Sequence, residues 1–198
     1  MKPIDEYLLL GLVERCSWLN HTPKTIGIYA DEPDLVERLI RTCWPDVTCV
    51  LWQEGPLPPV EGVVVASVWV SALNITQMCA NISAWVVPGG WVHWLALGDP
   101  SFLECDQEGV WPTAEAYCQT LAQHRWRDVV LSQERQVIRY EQTSSCLRDL
   151  KTLRAEQLPF DQSATLTLTL MWLHAWMSTN QVVIPIANVL HHSDEIPS

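Results

Sequence analysis

Acidic and histidine residues cluster at two places where they could bind a metal ion or a cationic ligand. The two clusters are Asp31, Glu32 and Asp34, and His191-His192 with Asp194 and Glu195. Each has an ordinary structural explanation, because acidic side chains favour the start of a helix and chain ends are solvated. His93 lies within an apolar run, which predicts a hydrogen-bonded core histidine. We therefore predict no metal site.

Familiar catalytic motifs are absent from the sequence. No G-x-S-x-G turn presents a serine nucleophile, and no Walker-type loop is available to hold a nucleotide phosphate. No residue is therefore predicted to be catalytic.

A basic segment, residues 125–154, contrasts with the acidic chain around it. Seven of the twelve Lys and Arg residues of the chain fall in this segment, against four acidic residues, so its net charge is +3 while the whole chain carries −11. The seven are Arg125, Arg127, Arg135, Arg139, Arg148, Lys151 and Arg154. The segment is either a solvated, locally paired surface or a docking patch for an acidic partner or another subunit.

Composition indicates one globular domain spanning residues 1–198, with residues 192–198 as a mobile tail. The chain is 48% hydrophobic and 18% charged. Its net charge argues against nucleic acid or an anionic membrane as a partner. The seven cysteines are odd in number and form no CxxC, and no secretory signal pattern begins the chain. Reduced thiols in a cytoplasmic protein are the simplest interpretation.

A buried βαβ unit is the predicted centre of the fold. Gly62 to Val70 is a β-branched, uncharged run, Ala72 to Val86 has helical character, and Trp91 to Leu97 is a second apolar run. Pro88-Gly89-Gly90 predicts the turn between the helix and the second strand. Two apolar strands joined by a helix indicate parallel pairing with both faces of the sheet covered.

The remaining elements extend this unit into an α/β three-layer sandwich. The predicted strands are Thr25–Ala30, Val47–Trp52, Trp126–Tyr140 and Gln181–Leu190, and the predicted helices are Ile4–Trp18, Leu35–Cys43, Ala114–Gln123, Cys146–Leu153 and Ser163–Met177. The last helix is favoured only modestly over a strand, because its threonines alternate. We expect a largely parallel sheet that ends in a terminal antiparallel strand or hairpin.

This order of elements resembles the class I S-adenosylmethionine-dependent methyltransferases. Pro56-Leu57-Pro58, the strand from Gly62 and then Pro88-Gly89-Gly90 look like that family's segment of the same form. Three segments of the second half look more specifically like the malonyl-carrier-protein methyltransferases of biotin biosynthesis. They are Pro112 to Glu115, Arg139-Tyr140 and Leu147 to Lys151. The resemblance implies S-adenosylmethionine as cofactor and a substrate borne on an acidic carrier protein.

Two departures from the family pattern lie in its cofactor half. The family's first strand ends in an acid and a glycine-rich turn, whose acid position falls here on Gly27 and whose glycine positions fall on Tyr29, Asp31 and Pro33. Side chains there would occupy cofactor space, and the acidic residues would oppose the cofactor carboxylate. A strand–helix pair is also missing before Pro56, and Glu54 is left as the candidate ribose ligand. We therefore expect a shortened, degenerate cofactor site.

Three functions follow from these expectations. The first is a non-catalytic binding or scaffold subunit that has lost S-adenosylmethionine binding and therefore has no cofactor. The second is an active methyltransferase of the malonyl-carrier type, in which Arg139 or Arg148 holds the substrate carboxylate. The third is a small-molecule binder that uses the vacated cleft at the carboxyl ends of the strands.

Overall fold

The computed structural model describes residues 11–53, 57–66, 74–101, 111–139 and 165–179. Its elements are β1 (Thr25–Ala30), α1 (Pro33–Cys43), β2 (Thr48–Leu51), β3 (Val60–Ala66), α2 (Ile75–Trp85), β4 (Val86–Gly98), α3 (Ala114–Gln123), β5 (Trp126–Arg139) and β6 (Thr165–Met177). Residues 11–16 are also helical. The predicted helix Cys146–Leu153, the strand Gln181–Leu190 and the tail lie outside the described residues.

The strands form one mixed sheet in the order β2-β1-β3-β4-β6-β5. The pairs β1–β2, β1–β3 and β3–β4 are parallel, whereas β6 is antiparallel to both β4 and β5. A largely parallel sheet with a terminal antiparallel hairpin was expected from the sequence, and the structure confirms it. No helix in the described part of the chain is long and apolar enough to cross a membrane.

Two hydrophobic clusters cover opposite faces of this sheet. Residues 11–16 and α1 pack on one face, and α2 and α3 pack on the other. Val63 to Val65 of β3 are fully buried and alternate between the two clusters. Because both faces of the central strands are covered, those strands are apolar throughout and not alternately polar.

Local sequence signals fix the starts of two helices as predicted. Pro33 occupies the first turn of α1, where its missing N–H has no intrahelical partner to lose. Thr113 precedes α3, and its hydroxyl oxygen accepts a hydrogen bond from the Ala116 N–H at 3.2 Å.

The predicted turn at Pro88-Gly89-Gly90 is corrected by the structure, because these residues lie inside β4 and do not end α2. The helix ends at Trp85, and Val86 is already extended and paired with Val60. The register between β3 and β4 then shifts before Gly62 pairs with Trp91. Gly89 adopts a positive φ of 83°, so the glycine relieves strain in a bulge of the strand and does not cap a helix.

The helix predicted for Ser163–Met177 is wrong, because Thr165–Met177 is the strand β6. Its apolar character arises from position, since it is paired on both sides, with β4 and β5. Residues of both its faces are therefore buried, including Met171, Leu173 and Ala175 on the face of α2 and α3. A strand covered on both faces has the continuous apolar pattern that also fits a buried helix.

The contact between Gly62 and Trp91 predicts a large loss of stability for Gly62→Ala. A Cβ atom on Gly62 would lie 2.1 Å from the Trp91 ring, which is fully buried. We expect the free energy of unfolding in urea to fall by about 2–3 kcal/mol. The double variant Gly62→Ala/Trp91→Leu should be more stable than the sum of the single effects implies. Strict additivity would contradict the steric explanation.

Candidate functional site

The carboxyl end of β1 carries four of the five residues predicted to form a degenerate cofactor site. Tyr29, Asp31 and Pro33 line a pocket of about 220 Å³, together with Trp52, which follows β2. The carboxyl edge of a parallel sheet is where α/β folds place their ligands. Gly27 lies two residues earlier on β1, and Glu54 lies outside the described residues.

Gly27 stands in contact with the indole ring of Trp85. A Cβ atom at Gly27 would lie 2.6 Å from that ring. The Trp85 indole N–H donates a hydrogen bond to the Pro58 carbonyl at 2.9 Å, which fixes its orientation. Trp52 packs edge-on against Trp85, with 5.3 Å between ring centroids, and Tyr29 lies 5.4 Å from Trp52. A cluster of tilted and edge-on aromatic rings thus packs against β1 at the position where the resembled family carries an acidic residue.

The start of α1 presents negative charge to this pocket. Asp31 lines the pocket, and Asp34 lies in the first turn of the helix. Glu32 is the N-cap residue, but its side chain makes no capping hydrogen bond. Side-chain capping therefore does not explain why an acidic residue stands at this position. Burial raises the pKa of the Tyr29 hydroxyl, and the nearby Asp31 carboxylate raises it further.

A second pocket lies on the opposite side of the protein core, on the face covered by residues 11–16. Its volume is about 310 Å³. It is lined by residues 15 and 18–21 and by side chains of three strands: His93, Val130, Ser132, Trp172, Leu173, His174 and Trp176. His93 pairs with His174, and Trp91 with Trp176, near the middle of β4, and this pocket shares no lining residue with the one at the end of β1. The pocket is therefore separate from the carboxyl ends of the parallel strands.

Two histidines in this second pocket contact each other directly. The Nδ1 atoms of His93 and His174 lie 3.3 Å apart, and their ring centroids are 4.4 Å apart. Burial lowers the pKa of His93 to about 3, with smaller effects from His174 and Arg15. Burial also lowers the pKa of His174. The expectation of a hydrogen-bonded core histidine at position 93 is confirmed, and its partner is a second imidazole.

Arg15 is held at the edge of the same pocket by a carboxylate and by aromatic rings. Its guanidinium group donates to Glu134 at 2.8 Å and to the Gly11 carbonyl at 3.3 Å. The guanidinium carbon lies 3.9 Å from the ring centroid of Trp172 and 5.4 Å from that of Trp18, close enough for cation–π attraction. The ion pair leaves the arginine with little charge to offer a ligand.

The basic segment does not form one patch in the described part of the chain. Arg135 pairs with Thr169 and Arg139 with Thr165, so both lie on one face of β5. Arg127 pairs with Trp176 and lies on the other face, because the register shifts after it. Arg125 precedes the strand and adopts a positive φ of 72°. Arg148, Lys151 and Arg154 are outside the described residues.

Sequence reasoning missed most of the second pocket. Among the residues that the structure describes, no group of three or more His, Cys, Asp or Glu side chains is placed to hold a metal ion. The signal for the pocket was the alternation Trp172-x-His174-x-Trp176, which puts three rings on one face of a strand. It was overlooked because the segment was assigned as a helix.

Comparison with known proteins identifies the fold but shows no closer relationship. The sequence matches no protein-family model and no curated protein. The YcgJ protein of Bacillus subtilis matches over 88% of this chain and 100% of its own, at 6% identity and a TM-score of 0.55. A candidate methyltransferase of Bacillus halodurans covers 86% of this chain and 99% of its own, at 9% identity and a TM-score of 0.54. Human N-acetylserotonin methyltransferase, solved with S-adenosylmethionine, covers 89% of this chain and 52% of its own, at 12% identity and a TM-score of 0.51.

The sheet order and these matches together establish the fold of class I S-adenosylmethionine-dependent methyltransferases. The resemblance drawn from the sequence is confirmed at that level. At sequence identities this low, the similarity shows only the fold. The chemistry has to be derived from the residues of this chain.

The buried histidine pair predicts an acid-sensitive fold. Because the pKa of His93 is lower in the folded protein than its ordinary value near 6.5, the unfolded chain binds more protons between pH 6.5 and about 3. The contribution of neutral His93 to the free energy of unfolding is therefore fully present above pH 6.5. It decreases as the pH falls, by up to about 1.4 kcal/mol per pH unit. Urea unfolding at pH 7.0, 5.5 and 4.5 measures this slope.

Histidine substitutions separate this effect from general acid unfolding. The variant His93→Gln, whose amide cannot take up a proton, should have a shallower slope, and His93→Gln/His174→Gln a shallower one still. Identical slopes in the wild type and the double variant would contradict the assignment.

Proposed function

We propose that the protein is a non-catalytic binding or scaffold subunit on a methyltransferase fold, and that it does not use S-adenosylmethionine. The observation that carries the proposal is the cluster of tilted and edge-on rings formed by Tyr29, Trp52 and Trp85, which packs along β1 from Gly27 toward its carboxyl end. In the resembled family, glycines keep that end open so that the backbone meets the cofactor.

The space left at this edge supports the proposal. The pocket of about 220 Å³ is smaller than the roughly 300–1,000 Å³ of typical small-molecule sites. Gly27 also has no room for the acidic side chain of the family pattern, since a Cβ atom there already meets the Trp85 ring at 2.6 Å.

The charge and backbone of α1 act in the same direction. A helix N-terminus attracts an anion through its free N–H groups and its dipole. Pro33 removes one N–H, and Asp34 adds a negative charge in the first turn. Asp31 adds another within the pocket. Each effect opposes a bound carboxylate by about 1 kcal/mol.

The alternative is an active methyltransferase of the malonyl-carrier type in biotin biosynthesis. It is favoured by the pocket that persists at the carboxyl end of β1 and by the fold itself. In that case the sulfonium methyl group passes in line to a substrate carboxylate, aided mainly by positioning. Within the described part of the chain, the candidate for holding that carboxylate is Arg139, which is exposed at the end of β5.

Arg135 and Arg139 support an acidic protein or another subunit as the partner. Both are exposed on one face of β5. Each lies two residues from Val137, which is on the same face and is 52% exposed. Two guanidinium groups flanking an apolar contact suit an acidic surface with an apolar centre. We also propose a reducing compartment such as the cytoplasm, supported by the five described cysteines, all of which are free thiols.

Titration with S-adenosylmethionine and S-adenosylhomocysteine separates the two functions. We expect no saturable heat in calorimetry with either ligand up to about 1 mM. The variant Tyr29→Gly/Pro33→Gly, which reopens the edge and restores one N–H, is measured beside the wild type. Micromolar binding by the wild type would overturn the proposal and favour the enzyme.

Charge reversal tests the docking face on β5. Binding of malonyl–acyl carrier protein, an acidic probe, is measured by surface plasmon resonance at low and moderate salt. We expect Arg135→Glu/Arg139→Glu to weaken binding by about tenfold or more, mainly through the association rate. Arg127→Glu is the matched control for the single variant Arg135→Glu, because each reverses one exposed charge and the two lie on opposite faces of the same strand. Equal losses in both variants would indicate nonspecific attraction and contradict a defined face.

A further inference from the structure

The second pocket, of about 310 Å³, combines flat aromatic walls with buried polar atoms that lack partners. Trp172, Trp176 and Trp18 contribute indole rings to its lining, and Trp18 is 61% exposed. His93 is only 6% exposed, and its Nε2 atom has no hydrogen-bond partner in the part of the chain that the structure describes. The same holds for the indole Nε1 of Trp172. Buried polar atoms normally have partners, and both of these atoms belong to side chains that line the pocket.

The proton count of the histidine pair defines what it presents to the pocket. Two neutral imidazoles carry two N–H protons between them, and the contact between the Nδ1 atoms of His93 and His174 uses one of these. The other proton must then lie on one of the two Nε2 atoms, which leaves the remaining Nε2 as an acceptor. Exchanging tautomers exchanges the two roles. The pair therefore suits a ligand group that both donates and accepts.

The charges around the pocket favour a neutral ligand over an ionic one. Both histidines are neutral near pH 7, since burial lowers the pKa of each. Arg15 is the nearest permanent cation in the described lining, and Glu134 neutralises it at 2.8 Å. A charged ligand would lose its hydration without gaining an opposite charge.

From these features we infer that the pocket binds a neutral, planar aromatic molecule that carries a hydroxyl group. The indole rings of Trp18, Trp172 and Trp176 contact the ligand ring, and a hydroxyl group, which can donate or accept, pairs with either tautomer of the histidine pair. The volume lies at the lower end of the range for small-molecule sites, which fits two fused rings. This site goes beyond the proposed function and does not depend on it, because it lies away from the carboxyl end of β1.

Four matched ligands test each part of the inference. The probe is 2-naphthol, and its binding is measured by calorimetry at pH 7.5. Naphthalene lacks the hydroxyl, decahydro-2-naphthol lacks the planar ring, and 6-hydroxynaphthalene-2-sulfonate keeps both and adds a charge. We expect saturable binding of 2-naphthol, and binding of each comparison compound that is weaker by about tenfold.

Two tryptophan substitutions on β5 test the location. Val130 lines the pocket and is 64% exposed, whereas Val137 is 52% exposed and lies on the other face of the strand. Both sites are open enough to accept a larger side chain without disturbing the core. We expect Val130→Trp to weaken 2-naphthol binding by about tenfold or more by filling the pocket, and Val137→Trp to leave it unchanged.

Indole N–H resonances give an independent measurement of place. In ¹⁵N-labelled protein, 2-naphthol should shift the signals of Trp18, Trp172 and Trp176 and leave that of Trp52, which lines the other pocket, in position. The inference is overturned if 2-naphthol fails to bind or binds no more tightly than its saturated or sulfonated analogue. It is equally overturned if Val130→Trp binds as the wild type does. S-adenosylmethionine binding would overturn the proposed function and leave these results untouched.

Discussion

Indole rings packed directly against glycine backbone are the contact on which the rest of the structure depends. Trp91 covers Gly62, Trp85 covers Gly27, and a Cβ atom on Gly11 would lie 2.5 Å from the Trp172 ring. In each case the missing side chain lets a large ring lie against the main chain, where it fills space at close to crystalline density. The contacts of Trp85 with Gly27 and of Trp172 with Gly11 join a helix to the sheet, whereas Trp91 and Gly62 lie on neighbouring strands.

The same kind of packing has opposite results at the two ends of the molecule. Near the carboxyl end of β1, Trp85 and Trp52 fill part of the region where an α/β fold ordinarily receives its ligand and leave a pocket of about 220 Å³. On the other face, Trp172 and Trp176 line a cavity together with His93, whose buried Nε2 atom has no hydrogen-bond partner in the described part of the chain. The fold is shared with methyltransferases, but function is a property of sites, and the sites here are distributed differently.

Much of the architecture was readable from local signals. The bounds of β1 and α3 were predicted correctly, because alternation, a threonine N-cap and flanking turn residues are strong and independent cues. The parallel core followed from uncharged, β-branched runs. The strand β6 was mistaken for a helix because burial on both faces removes the alternation that marks a strand, and burial depends on neighbours that are distant in sequence.

The sequence by itself determined the α/β class, the departure of Gly27, Tyr29, Asp31 and Pro33 from a glycine-rich turn, and the excess of positive charge after residue 125. Only the tertiary structure decided that β4 and β6 place His93 opposite His174, and that a register shift divides Arg127 from Arg135. The order of the residues alone gives the identity of each side chain and its spacing from its neighbours. Which side chains face each other depends on strand pairing and register, where a shift of one residue moves a side chain to the other face.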